Sequence, residues 1–243
     1  MAKLATKKGC LTSLKVLAVL GLIGWGLLSW FAPTAHVRYE LEVTLEVDGE
    51  PVTGSVVQEM TITSSPIDLL PDARQVSRKV RGQALEVDIP GRGSLFVLMA
   101  RYCPGTTEWG QCKGGYAYLV DRACGITQEQ PNFAVFVRRF KRLVGSCPIA
   151  EDQLPVMVRF EDPLRSETAQ QVLPQDLGKA FGLDVRFLSA GLTFTDVPLS
   201  TGIDNRLPWL SKHPERALIP YDRALVGSFI LSLRHRAFKR IWK

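Results

Sequence analysis

The chain has 243 residues, 46% hydrophobic and 22% charged, a balance that excludes a disordered polypeptide and allows one large domain or two small ones with proper cores. Its 30 basic and 24 acidic residues give a net charge of +6. Lys3, Lys7, Lys8 and Lys15 supply much of that excess, so the remainder is nearly neutral and charge gives no argument for a nucleic-acid partner.

Residues 16–32, VLAVLGLIGWGLLSWFA, form an uncharged apolar run. About 20 helical residues cross the ~30 Å hydrocarbon core of a bilayer, and the run reaches that length when Leu11 to Leu14 are counted and Lys15 snorkels. The lysines keep residues 1–15 in the cytoplasm under the positive-inside bias, and Trp25, Trp30 and Phe31 suit the outer headgroup level. The run therefore predicts a single transmembrane anchor over 16–32, a linker at 33–36 and a domain outside the cytoplasm from 37 onward. A cleaved signal peptide fits less well, because cleavage after Ala32 or Ala35 would put Trp30 or Pro33 where a small residue is wanted. A lipoprotein signal does not fit, since Cys10 precedes the apolar run.

From Val37 to Val47 apolar and polar residues alternate without a break, the pattern of a half-buried strand. Asp48-Gly49 starts a turn, and Ser55 to Thr63 reads as the returning strand of a hairpin. Residues 64–75 read as loop. Val76 to Ile89, interrupted at Gly82, and Ser94 to Tyr102 read as a second hairpin around Pro90-Gly91-Arg92-Gly93, its second strand the more buried. Tyr116 to Val120, Phe133 to Val137 and Leu154 to Phe160 are further strand candidates. A short helix is expected from Pro174 to Phe181, with proline in its first turn and Gly182 just past its end. Asp184 to Val197 returns to alternation, with Val185, Phe187, Leu192 and Phe194 as core residues and Gly191 as a bulge that resets the register.

Besides Cys10, the cysteines are Cys103, Cys112, Cys124 and Cys147, an even number suited to an oxidising space. Of three connectivities the sequential one, Cys103 to Cys112 and Cys124 to Cys147, is expected, which staples an insertion over 103–147. Their spacing lacks the close C-x-x-C pairs of structural zinc sites or of a catalytic dithiol.

Two basic clusters stand out. Arg138, Arg139, Lys141 and Arg142 interleave with Phe136 and Phe140, and Arg234, Arg236, Lys239, Arg240 and Lys243 close the chain without an acid. Each reads either as a solvated face or as a surface for anionic lipid or an acidic partner protein. From Leu225 to Trp242 the apolar residues fall at helical spacing, which predicts a basic amphipathic helix over 225–243. That helix could dock on the domain, on a partner or on the membrane surface with Trp242 and Phe238 among headgroups.

No catalytic constellation emerges. His36, His213 and His235 lack metal-ligand spacing, no nucleophile elbow or phosphate-binding glycine loop occurs, and no cofactor is implied. The acid pairs Glu151-Asp152 and Glu161-Asp162 read as strand-end caps.

The segments YELEVTLEVDGEPVTGSVVQE, KVRGQALEVDIPGRGSLFVLM, LPVMVRFEDP, VLPQDLGKAFG and VPLSTGIDNRLPWL together resemble a family of exported, membrane-anchored proteobacterial proteins with no assigned activity. The resemblance spans most of residues 38–210 and implies a bacterial, envelope-located protein; with the orientation set by the lysines, the expected place is the inner membrane with the main domain in the periplasm. The expected fold is mainly β, an antiparallel sandwich-like domain over 37–224 with one or two short helices, behind the N-terminal anchor. The expected role is binding or assembly at the membrane with a protein partner, without metal, cofactor or nucleic acid. A hydrolase-like envelope enzyme and a small-ligand or lipid carrier are the alternatives.

Overall fold

In a computed structural model, which describes residues 15–22, 26, 33–64, 76–101, 115–127, 133–211 and 233–240, the alternating run becomes strand β1 (Thr34–Val47). Its odd-numbered residues Tyr39, Leu41, Val43 and Leu45 are fully buried, as period two demands of a strand with one face on a core. Asp48 and Gly49 both take positive φ, 54° and 87°, the type I′ geometry whose twist matches a two-residue hairpin. The chain returns as β2 (Glu50–Ser64). Hydroxyl pairs Thr44–Thr53 (2.9 Å) and Thr34–Thr63 (3.2 Å) mark the register at its two ends.

After β2 come β3 (Val76–Gln83), β4 (Leu85–Ile89), β5 (Gly93–Arg101), β6 (Ser146–Pro148), β7 (Pro155–Phe160), β8 (Ala169–Val172), β9 (Val185–Phe194) and β10 (Lys239–Arg240). They form a six-stranded sheet, order β10-β3-β2-β1-β9-β6, and a four-stranded sheet, order β4-β5-β7-β8. Both are antiparallel, an arrangement that fits a β-sandwich. Only Ala84 separates β3 from β4, so one run of chain leaves the first sheet and enters the second. Where β3 departs, Ser200 takes over its place beside β2: Val57 N–H donates to Ser200 Oγ (2.9 Å), and Ser200 N–H donates to the Val57 carbonyl (3.2 Å). β2 and β4 come so close that a Cβ at Gly54 would lie 2.3 Å from the Glu86 carbonyl oxygen.

β5 is buried on both faces from Leu95 to Met99, as its unbroken apolar sequence predicts. Leu95 and Val97 share one face with Val87, Leu85 and Met157 by register. Phe96 and Leu98 on the other face join Val156, Val158, Ile203, Leu207, Trp209 and Phe238 in a second core. Its rings meet edge-on or tilted, Trp209–Phe238 at 5.2 Å and Phe96–Phe160 at 5.5 Å, the arrangement that ring quadrupoles favour.

The chain divides into two compact units, residues 1–35, 62–77 and 128–142 in one and 36–61, 78–127 and 143–243 in the other. Both sheets lie almost wholly in the second unit. In the first, residues 15–22 are helical and exposed. Among the described residues no helix is long and apolar enough to cross a membrane; the rest of 16–32, apart from residues 26, lies outside the described residues.

Several sequence expectations are corrected. Residues 34–36 are no linker but the start of β1. Tyr116–Val120 is not a strand: a 3-10 turn, Tyr116–Tyr118, runs into a helical turn, Leu119–Ala123, burying Tyr116, Leu119 and Val120 at helical spacing. Phe133–Val137 belongs to a helix, Phe133–Phe140, whose buried Phe136, Val137 and Phe140 also fall at helical spacing. The bulge in β9 sits at Leu188, between the pairs Thr44–Ser189 and Leu45–Phe187, and not at Gly191, which pairs in register with Glu42. The expected helix Pro174–Phe181 forms as a 3-10 turn, Pro174–Asp176, leading into Leu177–Phe181, and ends at Gly182 with φ 118°.

At the C-terminal end the continuous helix does not extend through 233–240. A single turn, His235–Phe238, gives way to β10, which pairs Lys239 with Gln83 and Arg240 with Gly82. Phe238 is fully buried in the Trp209 core and does not face a membrane. Residues 225–232 and 241–243 lie outside the described residues.

Candidate functional site

Tyr39 of β1 and Gln58 of β2 point to the inside of the large sheet, 1% and 0% exposed. A buried amide needs hydrogen-bond partners, and Gln58 has three. Its side-chain oxygen accepts from the Tyr39 hydroxyl (3.0 Å) and the Tyr116 hydroxyl (2.5 Å), and its amide nitrogen donates to the Gln83 carbonyl (2.7 Å). Arg240 reaches in from β10, its guanidinium 5.9 Å from the Tyr116 ring centre and donating to the Arg236 carbonyl (2.8 Å). Burial pushes Tyr116 up to about 12 and Tyr39 well above its ordinary value, so both phenols stay protonated. Burial also lowers Arg240.

A second cluster stands on the same helical segment. Arg78 of β3 donates through Nε (3.1 Å) and Nη2 (2.8 Å) to one carboxylate oxygen of Asp121, with side chains 2% and 8% exposed. Its guanidinium lies 4.2 Å from the Tyr118 ring centre, a cation–π contact in a desolvated setting. Burial raises the Asp121 carboxyl against the pull of Arg78. On the outer face of the sheet, Glu59 bridges Arg38 (3.0 Å) and Arg81 (2.9 Å), tying β1, β2 and β3 together.

Cys124, at the end of the same segment, is bonded to Cys147 on β6. Residues 115–125 are thus held to the sheet by a tyrosine–glutamine network, an ion pair and a covalent link. Each phenol is protonated and committed to Gln58, and the Asp121 carboxylate is committed to Arg78, so the arrangement works as a fastener. None of its side chains except the two cysteines and Arg240 was a sequence candidate. The available signal was the polar pair Gln58-Glu59 set between Val56-Val57 and Met60.

The expected disulfide Cys124–Cys147 is present, while Cys103 and Cys112 lie outside the described residues. The first basic cluster lies on and just after the helix Phe133–Phe140, with Arg138 half-buried and Arg139, Lys141 and Arg142 exposed. The C-terminal cluster is divided by exposure and by what its members bond to. Arg234 and Arg236 are exposed, while the half-buried Lys239 forms an ion pair with Asp204 and the half-buried Arg240 donates to the Arg236 carbonyl.

Glu151 and Asp152 sit before β7 and Glu161 and Asp162 after it, at opposite ends of the strand. Asp162 accepts from the Leu164 amide (2.9 Å) and Glu161 from Gln170, so these acids act as local caps. His36 meets Thr61 at 3.1 Å, and buried His235 packs edge-on to Trp209. His213 lies outside the described residues. Among the described residues no group of three or more His, Cys, Asp or Glu could hold a metal ion. A shallow open groove lined by Glu42, Thr44, Ser146, Ser189 and Thr193 runs over the outer face of β1, β9 and β6.

Fold and site together define a mainly β protein of two antiparallel sheets with a disulfide-held helical segment. Compared with family models, curated proteins and solved structures, the chain has no match.

Proposed function

We propose that the chain is a binding or assembly protein of the bacterial envelope, anchored in the inner membrane by residues 16–32, with its β domain in the periplasm, and acting through its surface without catalysis. The observation that carries this reading is the Cys124–Cys147 bond, because disulfides persist in oxidising compartments and are rare in the cytoplasm. The lysines that precede the apolar run favour the same orientation. The buried tyrosine, glutamine and arginine groups are committed to holding the fold, which supports a surface role over acid–base chemistry.

A periplasm-dependent phosphatase fused after Lys243 tests the topology. It should be active in cells, while a cytoplasm-dependent fluorescent reporter at the same position should be dark. The opposite pattern overturns the compartment. Purification of the full chain in mild detergent should then yield a partner protein at fixed stoichiometry, and a monomer without a partner overturns the assembly role.

A further inference from the structure

Residues 133–150 carry Arg138, Arg139, Lys141 and Arg142 and no acidic residue. The helix Phe133–Phe140 turns Phe136, Val137 and Phe140 inward, with the two phenylalanine rings 5.2 Å apart. Its other face carries Arg139 together with Val135, which is 42% exposed, and Lys141 and Arg142 follow in the exposed turn beyond it. Residues 128–142 belong to the same compact unit as residues 1–35. In that unit the helical residues 15–22 leave Val16, Leu17, Val19, Leu20 and Leu22 each more than half exposed. One unit therefore combines uncovered aliphatic side chains with a run of cations that ends in the exposed Lys141 and Arg142. Water disfavours the first and a neutral hydrocarbon phase disfavours the second, whereas the interface of an anionic bilayer accommodates both.

We infer that the segment Phe133–Arg142 is a docking surface for the headgroups of anionic phospholipid, laid on the bilayer that the N-terminal segment enters. This inference rests on the anchored reading above and adds the lipid class that the basic segment recognises. Each cation near an anionic surface contributes about 1 kcal/mol. Reversing the charge of one residue removes two such contributions, and the ratio of docked to undocked segment should fall about thirtyfold.

The test uses the full chain in nanodiscs of phosphatidylcholine, alone or mixed with phosphatidylglycerol. Acylation of Lys141 by a water-soluble amine reagent is followed by mass spectrometry, with alkaline extraction reporting whether the chain is inserted. In discs with phosphatidylglycerol, Lys141 should be protected at low salt and released at high salt. Arg142→Glu should abolish that protection while insertion persists, and Arg142→Lys should keep it. If Lys141 reacts equally in both lipids, or if its protection ignores salt and Arg142→Glu, the headgroup surface is refuted while the anchor stands. If alkali strips the chain from the discs, the anchor fails instead. Flotation of the same chain with vesicles then decides the surface: salt-sensitive binding to phosphatidylglycerol supports it, and no binding refutes it.

Discussion

Gln58 is the residue on which most depends, because two phenols donate to its side-chain oxygen while its amide nitrogen donates to the Gln83 carbonyl. Tyr116→Phe removes one donor and should lower stability by about 1 kcal/mol. Gln58→Leu should cost more, about 1–3 kcal/mol for each polar group left buried without a partner, and urea unfolding of both variants checks the order. The phenols also make a pH prediction. Tyr116 titrates near 12 when folded against 10.0 in the open chain, so the folded state binds the proton more tightly. Its contribution to stability is complete below the unfolded value and is lost as pH rises toward 12. Ultraviolet titration should find two of the five tyrosines resisting ionisation until the protein unfolds, and Tyr116→Phe should reduce the alkaline loss of stability. Gly54 is a purely steric case. With only 2.3 Å between a new Cβ and the Glu86 carbonyl, Gly54→Ala must push two strands apart at about 1–3 kcal/mol. Little of this could be read beforehand: the pair Gln58-Glu59 marks a polar break in the strand, but its partners, like the close approach at Gly54, depend on cross-strand neighbours that the local sequence does not name.

Among elements, the segment 115–125 is the one whose removal would be most informative. The Cys124–Cys147 link closes a separation of 23 residues, worth about 3 kcal/mol by loop entropy. Cys124→Ser should therefore lower the unfolding midpoint clearly, and reduction of the wild type should reproduce the shift, while a second serine at Cys147 should add little. Phe238→Ala, which opens a hole beside Trp209 and Phe160, should cost about 3–5 kcal/mol by calorimetry. The long elements were legible: the alternation of 37–47, the Asp48-Gly49 turn and the apolar β5 each state one structure at the level of pattern. The helix Phe133–Phe140 was misread because phenylalanine and valine favour strands locally. The i, i+3, i+4, i+7 spacing of Phe133, Phe136, Val137 and Phe140 carried the correct signal. β6, β8 and β10 have two to four residues each, too few for any period to emerge.

For the whole molecule, the class of two antiparallel sheets was legible from strand count and turns, whereas the sheet order was not. Order depends on which strands pair across long separations, as β1 does with β9, and pairings of that range leave no trace in local sequence. The basic clusters illustrate the same limit: composition found both, but only the folded chain shows Lys239 paired with Asp204 and Arg240 donating to the Arg236 and Met99 carbonyls. The passage from β3 through Ala84 into β4 has a further consequence. Ala84 has its amide bonded to the Phe238 carbonyl at 2.7 Å, so neither sheet can open at that corner without fraying the other. Native-state hydrogen exchange should find the amides of Val80, Ala84 and Val87 released together, at the free energy of global unfolding, as one cooperative unit. A load applied along this strand would then meet both layers at once, and the molecule would yield in a single rupture instead of peeling sheet by sheet.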